Sequence, residues 1–97
     1  MTNKPAASHL CRVCGAHYAE PPWGADGKTA SFDICDCCGV EFGYEDSTPA
    51  AVAAYRSGWI ARGLPWFKPA RKPADWNGAR QLARIGAVLA TKELGPS

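Results

Sequence analysis

Two cysteine loops, three short segments predicted as strands and two helical periodicities predict a small α+β protein, in which a zinc-ribbon-like antiparallel sheet is followed by two packed α-helices. The loops, at residues 11–15 and 35–39, both read Cys-x-x-Cys-Gly, and 20 residues separate the second cysteine of the first loop from the first cysteine of the second. Paired cysteines at this spacing are typical of a closed four-thiolate zinc site. The cysteine loops therefore organise the predicted fold.

The length of 97 residues is that of one domain. We expect residues 1–9 to be a mobile tail, because they are polar and show no periodicity. Residues 10–97 are predicted to form a single domain, with the zinc ribbon in residues 10–46 and the helical part in residues 47–94. A chain this short buries only about 60–65% of its unfolded surface, so a bound metal would add needed stability.

The location of the protein is predicted from what the sequence lacks. No stretch approaches the roughly 20 apolar residues that span a bilayer, and the first ten residues do not have the apolar core of a signal peptide. We therefore expect a cytoplasmic protein that does not bind a membrane. In that reducing compartment, five cysteines with short paired spacings favour metal binding over disulfides.

Three strands are predicted around the loops, the second and third of them from period-two alternation. The first covers residues 16–20, and a turn rich in proline and glycine follows it at residues 21–27. The other two each have an apolar side, which a sheet would bury. These sides consist of Ala30, Phe32 and Ile34 in the second strand and of Val40, Phe42 and Tyr44 in the third.

The first helix is predicted to begin after Thr48, which can cap it, and to end near Arg62, with Gly63 as the left-handed residue that follows. Glu45 and Asp46 precede it and favour the positive end of the helix dipole. Its apolar stripe is Val52, Tyr55, Trp59 and Ile60.

The second helix is predicted to begin at Asp75 or Asn77 and to run to about Glu93. Its apolar stripe is Ala79, Leu82, Ile85 and Leu89. Three prolines in residues 64–73 exclude regular structure between the helices.

The loops predict one Zn²⁺ per chain, because both sulfurs of each loop must reach one ion at about 2.3 Å and each loop ends in a glycine that allows positive φ. The predicted ligands are Cys11, Cys14, Cys35 and Cys38. A rubredoxin-like iron site would use the same four thiolates, and redox-active dithiols are a third interpretation, although these normally begin a helix. His9 and His17 are interpreted as uncoordinated, since four thiols complete the site.

The fifth cysteine, Cys37, lies inside the second loop and is predicted to point away from the metal. We interpret it as a small side chain that is packed beside the site or partly exposed. The alternatives are a reactive sensor thiol, which the neighbouring Asp36 disfavours, and a substitute ligand.

Charge divides the chain into two unlike halves. Residues 1–48 carry three basic and seven acidic residues, a net charge of −4, whereas residues 49–97 carry eight basic and two acidic residues, a net charge of +6. A solvated basic face is one interpretation of the second half, and a surface for single-stranded nucleic acid or a partner is the other. That possible surface comprises Arg62, Trp66, Lys68, Arg71, Lys72, Arg80 and Arg84.

Several motifs together resemble the cysteine-rich CPCC family of small bacterial proteins. They are the first cysteine loop, Pro-Pro-Trp at residues 21–23, Ser-Phe-Asp-Ile-Cys-Asp-Cys-Cys-Gly at residues 31–39 and Phe-Gly-Tyr at residues 42–44. The similarity is looser through residues 55–66. This chain has Arg12 and Asp36 where proline is typical of the family. The resemblance implies a fold and a metal, and it implies no particular role.

A zinc ion held by four thiolates has no open position for water, so we expect a protein that is not an enzyme. The leading hypothesis is a zinc-stabilised binding module whose helical face docks a protein partner, in an adaptor or toxin-neutralising role. The alternatives are nucleic-acid binding through the basic half and electron transfer by a rubredoxin-like iron site.

Overall fold

The computed structural model describes residues 7–86, which contain two α-helices and no β-strand. Helix α1 spans Pro49–Ala61 and helix α2 spans Gly78–Ala83. Short 3-10 helices cover Ala7–His9 and Pro69–Arg71, and loops and turns form the rest of the described chain. The predicted α+β fold with an antiparallel zinc-ribbon sheet is therefore wrong.

One isolated antiparallel bridge closes each cysteine loop, whereas the predicted zinc ribbon required a continuous ladder of hydrogen bonds between strands. Leu10 pairs with His17 across the first loop, and Ile34 pairs with Glu41 across the second. A single bridge brings the two sides of a loop together, but it does not continue into neighbouring strands. The loops are thus local hairpin-like turns that do not belong to a sheet.

The alternating segments fail to form strands because the backbone turns within them. Phe32 has a φ of 63° and Gly43 has a φ of 93°, both in the left-handed region, which extended strands do not use. The alternation marks a buried face only in part, since Val40 and Phe42 are buried whereas Phe32 and Tyr44 are 62% and 72% exposed. Apolar residues alternate in these segments of the sequence, but they do not form one buried face of a strand.

Helix α1 confirms the prediction made from its caps. The Thr48 hydroxyl accepts a 3.0 Å hydrogen bond from the backbone amide three residues later, and Arg62 is the C-cap, followed by Gly63 with a φ of 91°. Trp59 is fully buried, and the rest of the predicted stripe packs against the core. The apolar face of α1 is therefore the one that the sequence indicates.

Helix α2 begins as predicted but ends early. The Asn77 side chain caps it by accepting a 2.9 Å hydrogen bond from the amide of Arg80. The helix ends at Ala83, and the following turn reaches Gly86, whose φ of 73° is left-handed. A continuous helix to residue 93 is therefore wrong, and residues 87–93 themselves lie outside the described part of the chain.

The core surrounds the cysteine loops. Both helices contribute to it through one large buried side chain each, Trp59 from α1 and Leu82 from α2, and they make few direct contacts with each other. The buried apolar side chains from the loops and the residues beside them are Leu10, Cys11, Val13, Cys14, Ala16, Cys35, Cys37, Cys38, Val40 and Phe42. The helices thus pack on the loops, and the expected helix-against-helix packing is minor.

Two sequence predictions concern the periphery of the described chain. The predicted tail at residues 1–9 falls mostly outside it, since only residues 7–9 are described. Among residues 7–86, no helix is both long enough and apolar enough to cross a membrane.

Candidate metal centre

The two cysteine loops have the same local geometry. In each, the amide of the first cysteine donates a 2.8 Å hydrogen bond to the carbonyl oxygen five residues later, and the glycine amide donates to the carbonyl of the first cysteine at 2.9 Å. Gly15 and Gly39 both have a φ of 84°. A side chain on Gly15 would also collide with the carbonyl oxygen of Gln81, so glycine is required there by space as well as by conformation.

The loops bring the four predicted ligands together. The sulfur atoms of Cys11, Cys14, Cys35 and Cys38 all lie within 4.8 Å of one another, and all four residues are buried. Two sulfur pairs that join the first loop to the second, Cys11 with Cys38 and Cys14 with Cys35, are each 3.7 Å apart. Four sulfurs at about 2.3 Å from one tetrahedral ion would be separated by about 3.8 Å, whereas a disulfide needs about 2.05 Å. The cluster can therefore hold a metal ion, and all five cysteines are free of disulfides.

Burial and mutual hydrogen bonding make the four thiols electrostatically unequal. Burial raises the pKa of the Cys14 thiol. Hydrogen bonds from Cys11, Cys14 and Cys38, with a further one from the Tyr18 hydroxyl, lower the pKa of Cys35. A cation at the centre would favour the thiolate form of all four, because metal ligation requires deprotonated sulfur.

The helices hold the first loop through its backbone carbonyl groups. Arg56 of α1 donates two hydrogen bonds of 2.8 Å to the carbonyl oxygens of residues 12 and 13. Gln81 of α2 and Arg84 just beyond it donate to the carbonyl oxygens of residues 14 and 15, both at 3.1 Å. Three long side chains from distant parts of the sequence thus satisfy four consecutive carbonyl groups and fix the loop.

The proline-rich connection and α1 hold the second loop. The amides of Phe67 and Lys68 donate 2.9 Å hydrogen bonds to the carbonyl oxygens of residues 37 and 36, and the Tyr55 hydroxyl donates to that of residue 38 at 3.2 Å. The carboxylate of Asp36 pairs with Lys68 at 3.5 Å and with Arg71 at 3.3 Å. The negative charge of Asp36, which the sequence places beside an anionic site, is therefore balanced by two cations.

Tyr18 contacts the cluster directly, and no sequence signal identified it. Its hydroxyl donates to the Cys35 sulfur at 3.1 Å and accepts from the amide of Asp36 at 3.0 Å. Burial raises the pKa of Tyr18, and the negative charge of Cys35 raises it further. The phenol therefore stays protonated and remains a donor to sulfur.

Cys37 is fully buried beside the site, in the packed arrangement that the sequence predicts. It does not belong to the group of four. The Gln81 side-chain amide donates to its sulfur at 3.4 Å, and the Gln81 side-chain oxygen accepts from the indole nitrogen of Trp76 at 2.8 Å. Burial and this contact give the Cys37 thiol the surroundings of a packing residue.

The seven residues of the predicted basic surface do not form one free surface. All six basic residues of the set are exposed and Trp66 is half-buried, but five of the seven residues also make contacts within the chain. These contacts are the ion pairs of Lys68 and Arg71, the ammonium group of Lys72 at 5.3 Å from the Trp76 ring centre, the hydrogen bond of Arg84, and the edge-on packing of Trp66 against Trp76 at 5.5 Å.

A second buried polar residue, Asp46, ties the loop at residues 21–27 to the start of the helical part. Its two carboxylate oxygens accept from the indole nitrogen of Trp23 at 2.9 Å and from the amide of Gly43 at 2.7 Å. The guanidinium group of Arg12 lies 3.8 Å from the centre of the Trp23 ring. Asp46 is fully buried, so it acts as an internal anchor.

Large apolar side chains are exposed beside the second loop. Phe32, Ile34 and Phe67 are 62%, 45% and 53% exposed, and they line one groove of about 480 Å³. We call these three residues the apolar groove. Phe32 lies across Gly43, where a Cβ atom would come within 2.8 Å of its ring. The sequence placed Phe32 and Ile34 in a strand with a buried face, so their exposure corrects that prediction.

The fold and the site are those of a small protein with two helices packed on a buried cluster of four thiols that can hold a metal ion. The chain is similar to two proteins of Bacillus subtilis (strain 168), uncharacterized protein YozI, at 31% identity over 83 residues, and uncharacterized protein YoaQ, at 30% identity over 82 residues. The first match covers 69% of both chains, and the second covers 69% of this chain and 70% of the relative. The chain belongs to the family of these two proteins. No family model and no solved structure matches it.

Proposed function

We propose that this is a structural zinc-binding protein that is not an enzyme and that acts by docking a protein partner. The observation that supports this most is the closed cluster of four buried thiols within 4.8 Å of one another. A Zn²⁺ ion in such a set has no open position and little remaining Lewis acidity, so its role is to stabilise the fold. Zinc is favoured over iron because closed tetrahedral thiolate sites are its usual structural use.

The apolar groove supports the docking of a protein partner. The backbone of Phe32 is in the left-handed region, although its side chain is a bulky, exposed ring. Such a conformation costs about 1–3 kcal/mol and is concentrated at functional sites. Three side chains offer much less than the roughly 800 Å² per partner of a stable dimer, so the groove suits a short segment of another protein better than a second copy of this chain. The docking surface therefore differs from the helical face expected from the sequence.

Charge indicates the chemistry of that segment. The groove is also lined by Asp33, which makes no ion pair within residues 7–86, and by Asp36 and Lys68, which pair with each other. Four thiolates on one divalent ion add a further charge of −2 nearby. A partner segment with one or two apolar side chains and an adjacent lysine or arginine would complement this surface. Adaptor and toxin-neutralising roles would both use such a contact.

Nucleic-acid binding is less favoured because three of the six basic side chains in the predicted surface make ion pairs or hydrogen bonds within the chain. Lys68 and Arg71 neutralise Asp36, and Arg84 holds the first cysteine loop. Releasing them to contact phosphates would break contacts that fix the metal centre. The half-buried, edge-on position of Trp66 also presents a poor stacking platform.

A peptide selection tests the docking proposal. Peptides displayed on phage are selected on immobilised zinc-loaded protein, and we expect sequences with an apolar pair next to a basic residue. Replacing Phe32 and Phe67 by serine should weaken their binding at least tenfold. Tyr44→Ser is the matched control, because Tyr44 is an exposed aromatic outside the groove. Peptides that bind the groove variant as well as the wild-type protein would contradict the proposal.

A further inference from the structure

We propose that Tyr18 is a positioning residue of the metal centre: its hydroxyl hydrogen-bonds the sulfur of Cys35 and thereby lowers the donor strength and nucleophilicity of that one thiolate. This inference rests on the proposed function, since it assigns the control of the same zinc site. The hydrogen bond makes the four sulfur ligands unequal, since it lowers the nucleophilicity of the Cys35 sulfur relative to the other three.

The hydrogen-bond pattern fixes the direction of the hydroxyl proton. The amide of Asp36 is a donor and lies 3.0 Å from the Tyr18 oxygen, so that oxygen must accept from it. The hydroxyl proton is then free to point to the Cys35 sulfur at 3.1 Å. A thiolate cannot donate, so once the metal is bound the bond can run only from the Tyr18 hydroxyl to the sulfur.

The ring that carries this hydroxyl is held in place. The Tyr18 amide donates a 2.9 Å hydrogen bond to the carbonyl oxygen of His9, across the closed end of the first loop. The ring meets Phe42 edge-on, with 5.6 Å between centroids and an angle of 83° between planes. Phe42 itself is buried in the core. A hydroxyl on a fixed ring gives its full hydrogen bond without a further loss of side-chain freedom.

The bond is specific to one ligand. Among the residues that the structure describes, Cys35 is the one member of the four whose sulfur accepts a side-chain hydrogen bond from outside the cysteine cluster. Four thiolates around a divalent cation carry a net charge of −2, and a hydrogen bond to one sulfur withdraws part of that charge. Outer partners of metal ligands commonly change metal affinity 10–100-fold.

Tyr18→Phe tests the inference, with Tyr55→Phe as its matched control. Tyr55 also bonds the second loop, but its hydroxyl donates to the carbonyl oxygen of Cys38 and does not reach a sulfur. In cobalt-loaded Tyr18→Phe, the thiolate-to-cobalt charge-transfer band should move to lower energy, because the sulfur lone pairs are no longer stabilised.

Alkylation gives an internal comparison within one molecule. We expect zinc-loaded Tyr18→Phe to react faster with iodoacetamide at Cys35 than at Cys38, as mapped by peptide mass spectrometry, whereas Tyr55→Phe should keep the wild-type ratio. An unchanged ratio and an unmoved band in Tyr18→Phe would overturn the inference. A wild-type protein that binds neither zinc nor cobalt would instead overturn the proposed function.

A second variant covers the case in which Tyr18→Phe does not fold. 3-Fluorotyrosine at position 18 keeps the size and the hydroxyl of the native side chain while making it a stronger donor. The charge-transfer band should then move to higher energy. If the band did not move in this variant, the Tyr18 hydroxyl would not control the metal thiolate.

Discussion

Cys35→Ser is expected to unfold residues 10–86 at room temperature. Structural zinc contributes an apparent folding free energy of about 10–16 kcal/mol in small modules, which equals or exceeds the whole stability of a typical domain. The loss should be this large because the buried core surrounds the cysteine loops and the helices pack on them. The measurement is the tryptophan fluorescence and circular dichroism of the variant, with and without zinc.

Cys37→Ser is the matched control for this prediction. Cys37 is as buried as Cys35 and lies two residues away, but it is outside the group of four sulfurs. It should keep the metal and unfold cooperatively at a slightly lower temperature. The ligand assignment would be wrong if Cys37→Ser released the metal and Cys35→Ser retained it.

Asp46→Asn is expected to lower the free energy of unfolding by about 2–3 kcal/mol. This is the cost of leaving a buried hydrogen-bond donor unpaired, together with the loss of the carboxylate charge that strengthens the remaining hydrogen bond. The Asp46 carboxylate accepts from two donors, the Trp23 indole and the Gly43 amide. An asparagine amide of the same shape offers one oxygen and one NH₂ group, so one donor must face another donor. Urea denaturation of the zinc-loaded variant measures this loss.

Asp26→Asn separates the effect of burial from the effect of losing an acid. Asp26 is exposed, and its carboxylate accepts from the amides of Lys28 and Thr29 at 2.8 and 3.1 Å. Water can replace those bonds, so this variant should stay close to wild-type stability. Equal losses at the two positions would show that Asp46 is not the internal anchor described here.

The local parts of the structure could be predicted from the sequence. The positive φ of Gly15 and Gly39 follows from a loop that must bring two sulfurs to one point. Helix α1 begins and ends where Thr48 and Gly63 indicate, because caps act on adjacent backbone groups. In both cases the decisive contacts lie within a few residues of each other in the chain.

The antiparallel sheet was predicted wrongly because the alternation of apolar and polar residues in the sequence does not determine the backbone conformation. The left-handed φ of Phe32 has no sequence signal, since bulky residues rarely adopt it. The partners of the loops were also missed. Arg56 and Gln81 reach carbonyl groups 43 and 67 residues away, and such contacts arise only once the chain has folded.

The side-chain contacts of Tyr18 and Asp46 could not be predicted from the sequence for the same reason. In the sequence, Tyr18 belongs to a segment predicted as a strand, and Asp46 is one of two acids before a helix. The sequence relates Asp46 to the helix dipole, whereas its buried carboxylate accepts hydrogen bonds from Trp23 and Gly43. Polar side chains that bond across the fold need the fold itself for their assignment.

X-ray absorption at the metal edge of purified protein tests the central claim most directly. The account predicts one zinc ion per chain, with four sulfur neighbours at about 2.3 Å and no nitrogen or oxygen ligand. Elemental analysis of the same sample gives the stoichiometry and separates zinc from iron. A chain without metal, a red iron-loaded protein, or a zinc ion with fewer than four sulfur ligands would contradict the account.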